Sequence, residues 1–139
     1  MAEAVVRRML ESNGLAASTT VDSAGTHDFN VGLPPDPTAR LAALRRGYDM
    51  GGMRARRVRP EDFENYNMIL AMDRRNLAML QADCPVQHRH KLTLFLAYAA
   101  GSEMDEVPDP YGEPQESFER VLDLIEDAAQ GLTRALRLT

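Results

Sequence analysis

Apolar residues at positions 2, 5, 6, 9 and 10 open the chain at helical spacing. Glu3, Arg7, Arg8 and Glu11 take the opposite face, and Ser12-Asn13-Gly14 supplies a C-terminal stop. The chain therefore begins inside an amphipathic helix, with no N-cap residue ahead of it. Two readings fit: a chance start at a helix, or a front end that is missing. Thr20 and Val21 then predict a short strand running into Asp22-Ser23-Ala24-Gly25-Thr26, followed by a loop over 27–35. Asp36-Pro37 reads as an N-cap with proline at the first helical position, Leu41, Ala42 and Leu44 as an apolar stripe, and Gly47 as the end of that helix. Pro60 starts another short helix. The apolar run 68–72 predicts a strand buried on both faces, Asp73 caps a helix through Leu80, and 91–96 predicts a second buried strand. After the turn-rich 107–114, a last helix spans about 115–136, with Phe118, Val121, Leu122, Ile125 and Leu132 on its apolar side. Strands alternating with helices predict an α/β domain with a mostly parallel sheet and ligands at the carboxyl ends of its strands. Two loops lie there, 25–35 and 107–112.

Composition narrows the function classes. At 139 residues the chain has room for one core, and 16 basic against 21 acidic residues give a net charge of -5. That balance argues against a nucleic-acid binder running on bulk electrostatics. The longest mostly apolar run, 92–100, is too short to span a bilayer, and the first residues have no signal-peptide pattern. The one cysteine, Cys84, cannot form an internal disulfide. A soluble cytoplasmic domain is the expectation, with no cofactor and no metal.

Several residues could carry chemistry. Val107-Pro108-Asp109-Pro110-Tyr111 holds a carboxylate between two fixed φ angles, which suits a proton donor; Asp beside Pro is also ordinary turn chemistry. Arginines 40, 45, 46, 54, 56, 57 and 59 could meet a phosphorylated partner, although a solvated surface is the plainer reading. Cys84, His88 and His90 are near one another, but no fourth zinc ligand is evident. Nor does Cys84 suit a nucleophile: Arg89 is five positions on, and a proline but no glycine intervenes. His27 reads as a loop histidine exposed to water.

Seven segments together resemble one family. Met1-Ala2-Glu3-Ala4-Val5, Asp22-Ser23-Ala24-Gly25-Thr26, Asp28-Phe29-Asn30-Val31-Gly32, Pro35-Asp36-Pro37, Arg54-Ala55-Arg56, Ile69-Leu70-Ala71-Met72-Asp73 and Asp109-Pro110-Tyr111 occur in the order and spacing of the low molecular weight protein-tyrosine phosphatases of bacterial type. The resemblance implies a single α/β domain over 1–139, a three-layer sandwich with a mostly parallel sheet. It implies hydrolysis of a phosphotyrosine protein or other aryl phosphate through a cysteinyl-phosphate intermediate, with a bacterial tyrosine kinase as a candidate partner. Asp109 then corresponds to the general acid, and Ser23 to a serine that hydrogen-bonds the phosphate loop. Phe29, Asn30 and Tyr111 correspond to residues lining the substrate slot. Gly112 replaces a second tyrosine, and Met53 a histidine that supports the loop in many members.

The departure from the pattern lies at the front. In that family a central first strand leads into a loop of Cys, five residues, Arg and Ser-Pro, and then into a helix beginning like Met1-Ala2-Glu3-Ala4. Neither strand, cysteine nor arginine is present here, and an α-amine stands where the helix would meet phosphate. About five buried apolar side chains would be lost with the strand, or roughly 8–15 kcal/mol at ~1.5–3 kcal/mol each. Whole domains are stable by about 5–15 kcal/mol, so the 139-residue chain is expected to fold poorly alone and to be inactive. Two functional readings follow: a phosphatase whose start was set at an internal methionine, or a non-catalytic binding or regulatory module of the same fold. Retention of Asp109 favours the first, since a module without a nucleophile does not need the acid. An arsenate reductase of this fold would need further cysteines.

Overall fold

Alanines, not leucines, carry the second helix into the core. The computed structural model describes residues 1–138. Helix α1 (Ala2–Ser12) buries Ala4, Val5, Val6 and Leu10, and it also buries Glu3, which the helical pattern assigns to the polar face. The Asn13 side chain donates to the Met9 carbonyl at 2.7 Å, and Gly14 leaves the helix at φ +72°, a conformation that favours glycine. Helix α2 (Pro37–Arg45) starts where Asp36 accepts the Ala39 N–H, as its N-cap and proline predict. Its buried face is Ala39, Ala42 and Ala43, whereas Leu41 and Leu44 are about half exposed. The expected leucine stripe is thus corrected. Small side chains let α2 lie close to its neighbour, and the leucines are turned outward.

That neighbour is α5 (Gln115–Arg137), which packs against both α1 and α2. All five apolar positions expected on α5 are buried, joined by Ala128 and Ala129. Such side chains contribute ~1.5–3 kcal/mol each when fully buried. The 3₁₀ turn Phe95–Tyr98 also packs on α5. There a Cβ on Gly131 would sit 1.8 Å from the Tyr98 carbonyl oxygen, so the close approach requires glycine. Arg46, at the end of α2, donates to Glu119 at 2.7 Å, Asp123 at 2.9 Å and Glu126 at 2.5 Å on α5. Tyr48 donates its hydroxyl to Glu126 as well. Burial works against the Arg46 charge, but the three carboxylates more than offset it and its pKa is raised.

Among the described residues the sheet has two parallel strands, β1 (Ile69–Ala71) and β2 (Leu92–Leu94), paired Ile69 to Leu92 and Ala71 to Leu94. Between them lies α4 (Arg74–Asp83), longer than expected by one turn and capped by Asp73, whose carboxylate accepts the Asn76 N–H at 2.7 Å. Side-chain alternation divides the sheet's faces. Met68, Leu70 and Met72 pack toward the core of α1, α2 and α5. Ile69, Ala71, Leu92 and Leu94 meet Phe63 of α3 (Pro60–Asn65), Leu80 and Cys84. The result is an α/β arrangement with the parallel sheet between two helical groups.

Two strand expectations need correction. Neither strand is buried on both faces: in 68–72 only Ala71 is fully buried, and of 91–96 only 92–94 is strand, all half-buried, while the buried Phe95 and Leu96 belong to the 3₁₀ turn. Segment 19–24 forms no strand; its neighbour Gly25 makes a single parallel bridge to Arg57. A strand exists through a ladder of hydrogen bonds to a neighbour. Among the described residues, 19–24 has no such ladder.

Candidate active site

Ser23 is held by the first turn of α1. Its hydroxyl donates to Glu3 Oε1 at 2.6 Å, and Arg7 pairs with Glu3 Oε2 at 2.9 Å while also donating to the Val21 carbonyl at 3.0 Å. The α-amine of Met1 lies in the same corner; burial pushes its pKa down against the opposing pull of Glu3. Asp22 beside Ser23 accepts from Arg56 at 3.1 Å and from the Tyr66 hydroxyl at 3.3 Å, and Arg56 donates to Asp62 at 2.8 Å. Asp62 keeps a pKa below the usual carboxylate range: burial would raise it, but Arg56 and the Arg59 N–H prevail. Arg56 therefore clamps the Ser23 segment to the start of α3. Arg46 and Arg56 are each about three-quarters buried, so these two members of the arginine cluster are structural ties, whereas Arg57, paired with Asp28, stays on the solvated surface.

The loop carrying Phe29 and Asn30 is pinned by its backbone. Gly32 N donates to the Ala55 carbonyl at 2.8 Å, and Ala55 N to the Leu33 carbonyl at 3.0 Å. Phe29 is 85% exposed, in ring contact with His27 at 5.4 Å between centroids, and Asn30 is exposed too. An exposed aromatic ring in this position can press against another flat ring.

Asp109 belongs to a loop fixed at the carboxyl end of β1. Val107 N donates to the Met72 carbonyl at 2.8 Å, and Val107 and Pro110 are buried. Asp109 is exposed between them, its Oδ1 accepting the Tyr111 N–H at 3.0 Å. Tyr111 is 76% exposed. The Asp109 carboxylate thus makes an ordinary turn hydrogen bond while remaining open to solvent. Cys84 is elsewhere: it is 3% exposed among Phe63, Ala71 and Leu80, and burial raises its pKa despite Arg89 and Lys91. A buried thiol of raised pKa is a poor nucleophile. Among the described residues, no group of metal-ligating side chains is assembled and no helix is long and apolar enough to cross a membrane.

Sequence reasoning missed Glu3 and Arg56 as the partners that place the Ser23 segment. The only signal was a carboxylate set among Ala2, Ala4 and Val5 in a first helical turn; which acid would turn inward depended on Ser23 packing against it.

A model of the family described as low molecular weight phosphotyrosine protein phosphatase matches residues 1–139. The chain belongs to that family. A Synechocystis protein carrying the family name is 40% identical over 136 residues, spanning 97% of this chain and 86% of its own. The low molecular weight protein-tyrosine-phosphatase YfkJ of Bacillus subtilis is 31% identical over 137 residues, or 99% of this chain and 86% of its own. Among solved structures, a protein tyrosine phosphatase from Entamoeba histolytica superposes with a TM-score of 0.95 at 34% identity, covering 98% of this chain and 86% of that one. The family's protein-tyrosine phosphatase activity is the coarse function these matches support.

Proposed function

We propose that the gene product hydrolyses phosphotyrosine monoesters through a cysteinyl phosphate, and that the attacking cysteine and the phosphate-binding arginine are supplied by residues preceding Met1. Asp109 gives its proton to the tyrosyl oxygen as the P–O bond breaks, then takes one from the water that attacks the cysteinyl phosphate. Ser23 braces the phosphate loop, while Phe29, Asn30 and Tyr111 line the slot for the phenol ring. The substrate is a phosphotyrosine protein of the cytoplasm, the product of a tyrosine kinase. The 139-residue chain by itself is inactive and unstable.

One observation carries this reading: Asp109 is exposed at the carboxyl end of β1 between two buried anchors, while the only cysteine is sealed in the opposite core. The half-buried strands and the unladdered segment 19–24 support a further strand between them in the complete protein.

The test is hydrolysis of an aryl phosphate. The 139-residue chain should show none above background. A chain extended upstream in frame should carry Cys, five residues, Arg and Ser-Pro, and should be active. In it, Asp109→Asn should lower turnover by ~10²–10⁴-fold at neutral pH. Unchanged turnover would remove Asp109 from the mechanism, and activity in the 139-residue chain would remove the upstream nucleophile. An extended chain with neither the motif nor activity would leave a non-catalytic module.

A further inference from the structure

The segment leading into Asp109 is fastened to the first turn of α4. Glu106 Oε2 accepts the Arg74 backbone N–H at 2.7 Å. The Arg74 guanidinium turns back to Asp105, with Nη1 donating to Oδ1 at 3.0 Å and Nη2 to Oδ2. With the Val107 N–H on the Met72 carbonyl, three consecutive residues grip the junction of β1 and α4. A carboxylate that accepts a first-turn N–H gains from the charge-assisted bond and from the positive end of the helix dipole. Beyond this grip, Pro108 and Pro110 limit rotation on either side of Asp109.

We propose that Glu106, helped by Asp105, is a positioning residue that fixes where Asp109 presents its proton. This rests on Asp109 being the general acid. Stability is a poor explanation of the clasp, because the side chains of Arg74, Asp105 and Glu106 are 61%, 52% and 42% exposed, and exposed pairs contribute little. What the clasp does control is the base of a short segment ending in a carboxylate. A misplaced acid is felt in proportion to how much the leaving oxygen needs a proton.

The experiment compares kcat/KM for phenyl phosphate, a poor leaving group, with 2,4-dinitrophenyl phosphate, a good one, in the full-length gene product. Glu106→Ala should lose ~10-fold on phenyl phosphate and less than about twofold on the dinitrophenyl ester, with Tm unchanged. Glu106→Gln, whose amide oxygen still accepts from Arg74, should recover most of the loss. Asp109→Asn, run alongside, should show a larger loss with the same dependence on leaving group. If Asp109→Asn is selective but Glu106→Ala falls equally on both esters, or on neither, the positioning role is overturned. If Asp109→Asn is itself unselective, the acid assignment fails and takes this inference with it. A wild type that cleaves neither ester would overturn the phosphatase reading at its root.

Discussion

The two sides of the sheet are built differently. On one side α1, α2 and α5 share a core in which Val5, Ala42, Ala43 and Leu122 are fully buried, and polar ties such as Arg46 to α5 close its edge. On the other, α3 and α4 gather a smaller set of buried residues, Phe63, Ala71, Leu80 and Cys84, with half-buried Ile69, Leu92 and Leu94 around them. The difference lies in what each side depends on. Helices satisfy their own backbones and need only a neighbour for one face, whereas a strand needs partners at its edges and cover on both faces. The side of α1, α2 and α5 therefore holds the larger buried core, and the side of α3 and α4 rests more on the half-buried strand residues.

Urea denaturation of the protein tests this contrast. The largest loss should follow Phe118→Ala in the helical core, about 3–5 kcal/mol. Gly131→Ala should come next, at about 1–3 kcal/mol, because its new methyl meets the Tyr98 backbone and no flexible side chain can yield. Leu92→Ala, on a half-buried strand, should cost about 1–2 kcal/mol, below the range for fully buried leucines. A cost equal to that of Phe118→Ala would erase the contrast.

A smaller effect is a pH dependence. The Tyr48 phenol, buried and hydrogen-bonded to Glu126, is pushed up to about 12 from an ordinary 10. The folded chain therefore holds this proton where the unfolded chain has lost it. The resulting stability is full below pH 10 and is lost as pH rises to about 12. Tyr48→Phe should flatten denaturation midpoints across that window, and an unchanged slope would mean that another group titrates there. The smallest effect should be Leu44→Gln, within about 0.5 kcal/mol, since Leu44 is 57% exposed.

Leu44 also shows where the sequence misleads. Its spacing with Leu41 marks an apolar face as clearly as Phe118 and Leu122 mark theirs, yet only the latter pair is buried. Periodicity identifies a stripe; the choice between a leucine stripe and an alanine stripe depends on how closely α5 approaches. Glu3 makes the same point in reverse, a charged residue turned inward because Ser23 and Arg7 meet it there. Of the site, the Asp109 loop was legible because prolines announce restricted backbone in the sequence itself. The grip of Asp105 and Glu106 on α4 was not, since its partner Arg74 is about thirty residues away and nothing local joins them.

Local pattern along the chain was enough for the helices, for the caps of α2 and α4, and for the order of segments that marks the family. These are local properties, set by side-chain spacing and by the φ preferences of proline and glycine. Packing settled which faces are buried, which arginines are ties rather than surface, that 19–24 forms no ladder, and that Asp109 is exposed while Cys84 is sealed away. Each of those depends on a partner distant in the chain, and a partner's position is fixed by packing.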